Sequence, residues 1–135
     1  KYTIMGVEKN KLNEKYYVCL LANESSFDLY LKSSFSRRHP VPRLYGTIYT
    51  RSSTNPIAKC KIEDIFAEDK HVGNGTILLN YAKKYLKSIG VREIYGELSF
   101  VDKDHFDVLE KFYRFNDFIV TFDEERTSGS IEISI

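Results

Sequence analysis

Residues 57–100 read as strand, glycine loop, helix and strand in immediate succession, and that order leaves few folds open. The run "IAKCKIEDIF" (57–66) is rich in β-formers. After it, "KHVGNGTILLNYAKKYLKSIG" (70–90) carries Leu78, Tyr81, Ala82, Tyr85, Leu86 and Ile89 at helical spacing, with Lys83, Lys84 and Lys87 on the other side. Gly90 follows the helix predicted over 76–89 and is a good residue to stop it, because it turns left-handed without a Cβ penalty. "VREIYGELSF" (91–100) then starts a strand at once. Two strands joined through a single helix pair in parallel, since the crossover returns the chain to the same end of the sheet.

The remaining segments fill out a mixed sheet. "YYVCLLA" (16–22) and "DLYLK" (28–32) are short and β-rich, while "SRRHPVPR" (36–43) is a loop broken by Pro40 and Pro42. Residues 43–51 and 57–66 flank the turn-forming "SSTNP", a hairpin signature. Strict alternation along 57–66 would put Ala58, Cys60, Ile62, Asp64 and Phe66 on one face and Lys59, Lys61, Glu63 and Ile65 on the other. A second helix, with Asp102 or Asp104 as its cap, shares a face among Phe106, Leu109, Phe112 and Tyr113. Strands at 117–122 and 130–135 close the chain. The expectation is an α/β fold: one domain over 1–135, strand-rich over 1–56, with two main helices in 57–135.

A chain of 135 residues and 15.7 kDa has room for one core, and 42% hydrophobic with 29% charged residues suits a globular domain. A net charge of +1 gives no reason to expect nucleic acid. Cys19 and Cys60 lie far apart with no metal-ligand spacing, so reduced thiols and no metal are expected. No apolar run reaches the roughly 18 residues of a membrane helix, and cytoplasm is the expected location. Charge is uneven, however. Seven Lys or Arg and no acid lie in 29–61, against fifteen acids and nine bases in 62–135. These are either solvated strand faces or a basic surface for an anion beside an acidic surface for a cation.

Gly73 and Gly75 stand directly before the best helix, although Gly is among the poorest residues for a helix interior. A helix mouth offers backbone N–H groups without partners and the positive end of the dipole. Removing side chains there lets an anion approach those amides. Neither G-x-x-x-x-G-K-[ST] nor G-x-G-x-x-G is present, because residue 78 is Leu.

Lys70-His71-Val72-Gly73-Asn74-Gly75-Thr76 resembles the Q/R-x-x-G-x-G/A loop of the GNAT superfamily of acyl-CoA-dependent N-acyltransferases. "VLEKFYRFNDF" (108–118) is similar to that family's second signature, A-x-x-F/L-Y-x-x-x-G-F, with Asp117 where Gly is usual. The resemblance covers about 58–120. It implies a mostly antiparallel sheet splayed at one parallel pair. It also implies acetyl-CoA as cosubstrate, with its pyrophosphate on His71, Val72, Gly73, Asn74, Gly75 and Thr76 and its pantetheine arm along Ile65, Phe66 and Ala67. The family's first strand is normally followed by two helices that build the acceptor pocket. Residues 1–43 carry no such pattern, so strands and loops, or the second subunit of a homodimer, would have to supply it.

The resemblance further implies acetyl transfer to a primary amine, with Tyr113 as general acid toward the departing thiolate. An amine nucleophile must be neutral, so a base is needed. Glu63 is the only carboxylate on its predicted strand face and is the candidate, with Glu97 on the next strand as the alternative. A non-catalytic module that keeps the fold and binds CoA is the other reading.

Overall fold

The computed structural model describes residues 2–33, 41–67 and 73–135. In chain order the elements are β1 (Thr3–Lys9), β2 (Lys15–Ala22), β3 (Ser26–Lys32), β4 (Arg43–Tyr49), β5 (Lys59–Phe66), α1 (Asn74–Ser88), β6 (Glu93–Leu98), α2 (Phe106–Phe115), β7 (Ile119–Phe122) and β8 (Gly129–Ser134). A 3₁₀ turn, Phe100–His105, leads into α2. All eight strands form one sheet in the order β1-β2-β3-β4-β5-β6-β8-β7, and β5–β6 is its parallel pair. The mixed α/β sheet with two helices is the expected fold.

The crossovers through α1 and through α2 step the same way across the sheet. Right-handed connections therefore bring both helices onto one face. They touch there: Asn116 Nδ2 donates to Thr76 Oγ1 at 3.3 Å, and Lys83 Nζ donates to the Asn116 carbonyl at 2.7 Å. Under α1 lies the core. Val18, Phe27, Leu29, Leu31, Leu44 and Cys60 from the sheet meet Leu78, Leu79 and Leu86 from the helix, all at most 1% exposed. Alternation in β3 produces this directly, since Phe27, Leu29 and Leu31 are buried while Asp28 and Tyr30 between them are not.

The opposite face carries no helix among the described residues. Its side chains follow from the register, in which Tyr45 pairs with Asp28, Tyr49 with Lys59, Thr47 with Lys61, and Lys61 in turn with Tyr95. Between β1 and β2, where the two acceptor-side helices would fall, the chain makes a tight hairpin. Asn10 N–H bonds the Glu14 carbonyl and the Asn10 side-chain oxygen accepts from the N–H groups of Leu12 and Glu14.

The sequence reading left two features out or wrong. β1 went unread because Gly6 and a register shift between Ile4 and Gly6 spoil its alternation. The glycine is required there, since a Cβ would fall on the Tyr81 hydroxyl, which donates to Glu8 Oε2 at 2.6 Å. Neither Asp102 nor Asp104 caps α2. His105 holds the N-cap position without a side-chain bond, and the Asp102 N–H bonds the Ser99 carbonyl inside the 3₁₀ turn. Gly90, in contrast, ends α1 as expected. At φ +89° it lets its own N–H reach the Lys87 carbonyl and the Val91 N–H reach that of Leu86.

Candidate active site

The site begins with a break in β5. Gly46 pairs with Ile62 and Tyr45 with Asp64, so Glu63 is an extra residue, a β-bulge. The parallel ladder to β6 ends at the same point, with Ile62 against Gly96, although β5 runs on to Phe66 and β6 to Leu98. Past the bulge no strand among the described residues pairs with the β6-facing edge of β5, which leaves a cleft in the hydrogen-bond ladder. An extended chain entering that cleft would meet free backbone donors and acceptors.

The bulge also corrects the face assignment from strict alternation. Beyond it Ile65 pairs with buried Leu44 and joins the core side. Asp64 and Phe66 pair with Tyr45 and Arg43 and so join Lys59 and Lys61 on the helix-free face. Glu63 stays on that face: its Oε2 accepts from Thr47 Oγ1 at 2.7 Å, and its Oε1 lies 3.7 Å from Lys61 Nζ. Glu97 is 4.0 Å from the same ammonium. Nearby, burial first and then the neighbouring Tyr49 push the Tyr95 phenol above its ordinary range.

At one end of the cleft stands the mouth of α1, and its two glycines differ. Gly73 is the N-cap, at φ +94°, a backbone that side chains other than Gly rarely adopt. Among the described residues a Cβ there would meet only Lys11 Cγ, at 3.8 Å, so on that side the position is open. Gly75 is buried, and a Cβ on it would stand 2.7 Å from the Phe112 ring. The space at Gly75 is therefore filled by α2, and helix packing rather than ligand approach excludes a side chain. Its N–H remains in the first turn with those of Asn74 and Thr76. Among the described residues no side chain caps this end of the helix, and no acid lies in its first turn. Lys70, His71 and Val72 lie outside the described residues.

Asn74, the first helical residue, is 1% exposed. Its Oδ1 accepts from Asn10 Nδ2 at 3.1 Å, across the gap between the helix and the β1–β2 hairpin. No motif or periodicity marks this contact, which joins residues 64 positions apart.

Tyr113 comes from α2 and is 4% exposed, with the rings of Phe112 and Phe118 at 5.1 and 5.4 Å. Burial, and then the carboxylates of Asp64 and Asp102, hold its phenol well above the usual range. The influence of Asp64 sets the ring within electrostatic reach of β5 just past the bulge. Asp117, in the place of the usual Gly, adopts a left-handed φ of 73°, and Phe118 N–H bonds the Tyr113 carbonyl. The tight turn is thus made without glycine.

This architecture is the fold of the GNAT acetyltransferases. Neither a family model nor a curated relative matches the chain by sequence. Solved structures match by shape. A candidate GNAT-family acetyltransferase from Desulfovibrio desulfuricans superposes with a TM-score of 0.57 at 14% identity, covering 82% of this chain and 68% of that one. NAA60 of Arabidopsis thaliana, in complex with acetyl-CoA, gives 0.58 at 12% identity over 84% of this chain and 77% of that one. A candidate streptothricin acetyltransferase from Bacillus anthracis, in complex with acetyl coenzyme A, gives 0.56 at 14% over 98% and 82%. At such identities the likeness concerns the fold.

Proposed function

We propose that the chain is an acetyl-CoA-dependent N-acetyltransferase acting on a primary amine. The observation that carries this reading is the coincidence, at one point of the sheet, of the Glu63 bulge, the end of the β5–β6 ladder and the uncapped mouth of α1. A sheet alone needs none of the three. Together they suit a long ligand with an anionic end and an amide-bearing arm.

The residues fit acetyl-CoA on their own chemistry. Among the described residues, Gly73 is open and left-handed, the first turn of α1 carries no acid, and Asn74 Nδ2 is a buried donor without a partner. The N–H groups of Asn74, Gly75 and Thr76 would hold the pyrophosphate at the positive end of the helix. The free edge of Ile65, Phe66 and Ala67 would hydrogen-bond the pantetheine arm, and a backbone amide there is the natural donor to a developing oxyanion. When bound, the thioester supplies the activated acyl group. Glu63 would accept the amine proton, directly or through water, from the helix-free face. Tyr113 would donate its phenolic proton toward the departing sulfur. The phenol is neutral through the physiological range and so has a proton to give, and the phenolate left behind regains one from water after each turnover.

Neighbours solved with acetyl-CoA support the cosubstrate. The acceptor is an amine by the same reading, and the helix-free face is where it would enter. A thiol-release assay with acetyl-CoA over a panel of primary amines and peptide N-termini tests the proposal. Glu63→Gln should lower kcat about 100-fold or more on the best acceptor, as loss of a general base does. Tight acetyl-CoA binding with no turnover on any amine would favour the alternative, a CoA-binding module without catalysis.

A further inference from the structure

From the helix mouth and the hairpin beside it we infer that Lys11, at the tip of the β1–β2 hairpin, is a phosphate ligand of the site and contacts the coenzyme pyrophosphate. The inference rests on the acetyl-CoA reading and adds a residue from outside both signature segments. Three observations meet at this point.

Lys11 is exposed, and among the described residues its Cγ is the atom that a Cβ on Gly73 would approach within 4 Å. The stem of this lysine therefore runs past the N-cap of α1, where an anion would sit. A lysine stem of this length can cover apolar or backbone surface while its ammonium stays beside solvent and ligand.

The hairpin is also fixed at that place by a buried bond. Asn10 is 8% exposed and Asn74 is 1% exposed, so their 3.1 Å hydrogen bond is shielded from water. The bond's direction is determined. Asn10 Oδ1 already accepts from the N–H groups of Leu12 and Glu14, so Asn10 must present its Nδ2, and Asn74 must present its Oδ1. This leaves Asn74 Nδ2 buried and, among the described residues, without a hydrogen-bond partner. A buried amide donor left unpaired costs free energy, and here it sits on the first residue of the helix whose mouth is uncapped. The orphan donor and the free backbone amides call for one acceptor-rich, negatively charged group.

Short connection and lysine belong together. Because β1 and β2 are joined by a tight turn, the tip can reach the helix and add a cation beside the neutral amides of Asn74, Gly75 and Thr76. Asn10 acts through Lys11 and Asn74 and is a positioning residue. Lys11 touches the ligand.

Isothermal titration of the full chain with CoA and with dephospho-CoA, at low and high salt, tests the inference. Lys11→Met should weaken CoA binding about tenfold, as loss of one charge-assisted contact does, and should flatten the salt dependence. Lys11→Arg should restore most of the affinity and the salt slope. Because the contact is to pyrophosphate, the loss should be equal for dephospho-CoA; a loss confined to CoA would overturn that assignment in favour of the 3′-phosphate. Asn10→Ala should give a similar loss of affinity that Lys11→Met does not deepen. Wild-type binding that Lys11→Met leaves intact would overturn this inference alone. No CoA binding by the wild type would overturn the acetyltransferase reading and this inference with it.

Discussion

The two faces of the sheet are built from the same strands and do opposite work. On the helix side, every second residue of β3 and β4 is buried under α1, from Phe27 and Leu29 to Leu44 and Ile48. On the other side their neighbours are Asp28, Tyr30, Tyr45 and Tyr49, paired across strands with Arg43, Lys59 and each other's backbones, and no helix covers them among the described residues. The covered face supplies stability, and it carries the helix mouth. The bare face carries Glu63, Lys61 and Tyr95 around the bulge. On the proposed reading the covered face is the coenzyme side, and the acceptor side is left to strands, loops or another chain.

The sharpest way to break that contrast uses adjacent residues on opposite faces. Leu44→Ala should cost about 2–5 kcal/mol, because a fully buried Leu leaves a cavity when truncated. Tyr45→Ala, 36% exposed on the bare face, should cost less than half as much by urea denaturation. Equal losses would mean that something covers the bare face.

Tyr113 belongs to the covered side by packing, and the proposed mechanism uses its hydroxyl. Tyr113→Phe keeps the ring among Phe112 and Phe118, so it should lower kcat about 100-fold with acetyl-CoA affinity and Tm almost unchanged. A Phe variant with full turnover would make it a core residue only.

Gly75 separates packing from binding. Gly75→Val forces a side chain into the Phe112 ring and should destabilise the chain by about 1–3 kcal/mol, seen as a lower Tm without ligand. If Tm held and only coenzyme affinity fell, the glycine would serve the ligand instead.

Much of the covered side could be read from residues alone. Periodicity in 76–89 and the Gly90 stop located α1, and the strand–helix–strand order fixed the parallel pair. What could not be read were events that depend on contacts between distant segments. The bulge at Glu63 moves Asp64 and Phe66 to the bare face, but nothing in "KIEDIF" marks it, because a bulge is defined by the partner strand's register. The Asn10–Asn74 bond and the Phe112 ring against Gly75 are likewise tertiary. Tyr113 stands out among the ten tyrosines through its signature, which makes it the candidate for a test rather than an observed acid.

The central claim is that the open mouth at Gly73 binds the coenzyme. Thermal denaturation with and without acetyl-CoA, on the wild type and on Gly73→Val, tests it most directly. Valine at φ +94° should lower the ligand-free stability by about 1–2 kcal/mol, the ordinary penalty for a side chain in a left-handed backbone. Saturating acetyl-CoA should raise the wild-type Tm clearly, as a ligand at about 100 times its Kd adds roughly 2.7 kcal/mol, and should leave the Gly73→Val Tm unmoved. A wild-type Tm indifferent to acetyl-CoA, or an equal rise in the variant, would contradict the account.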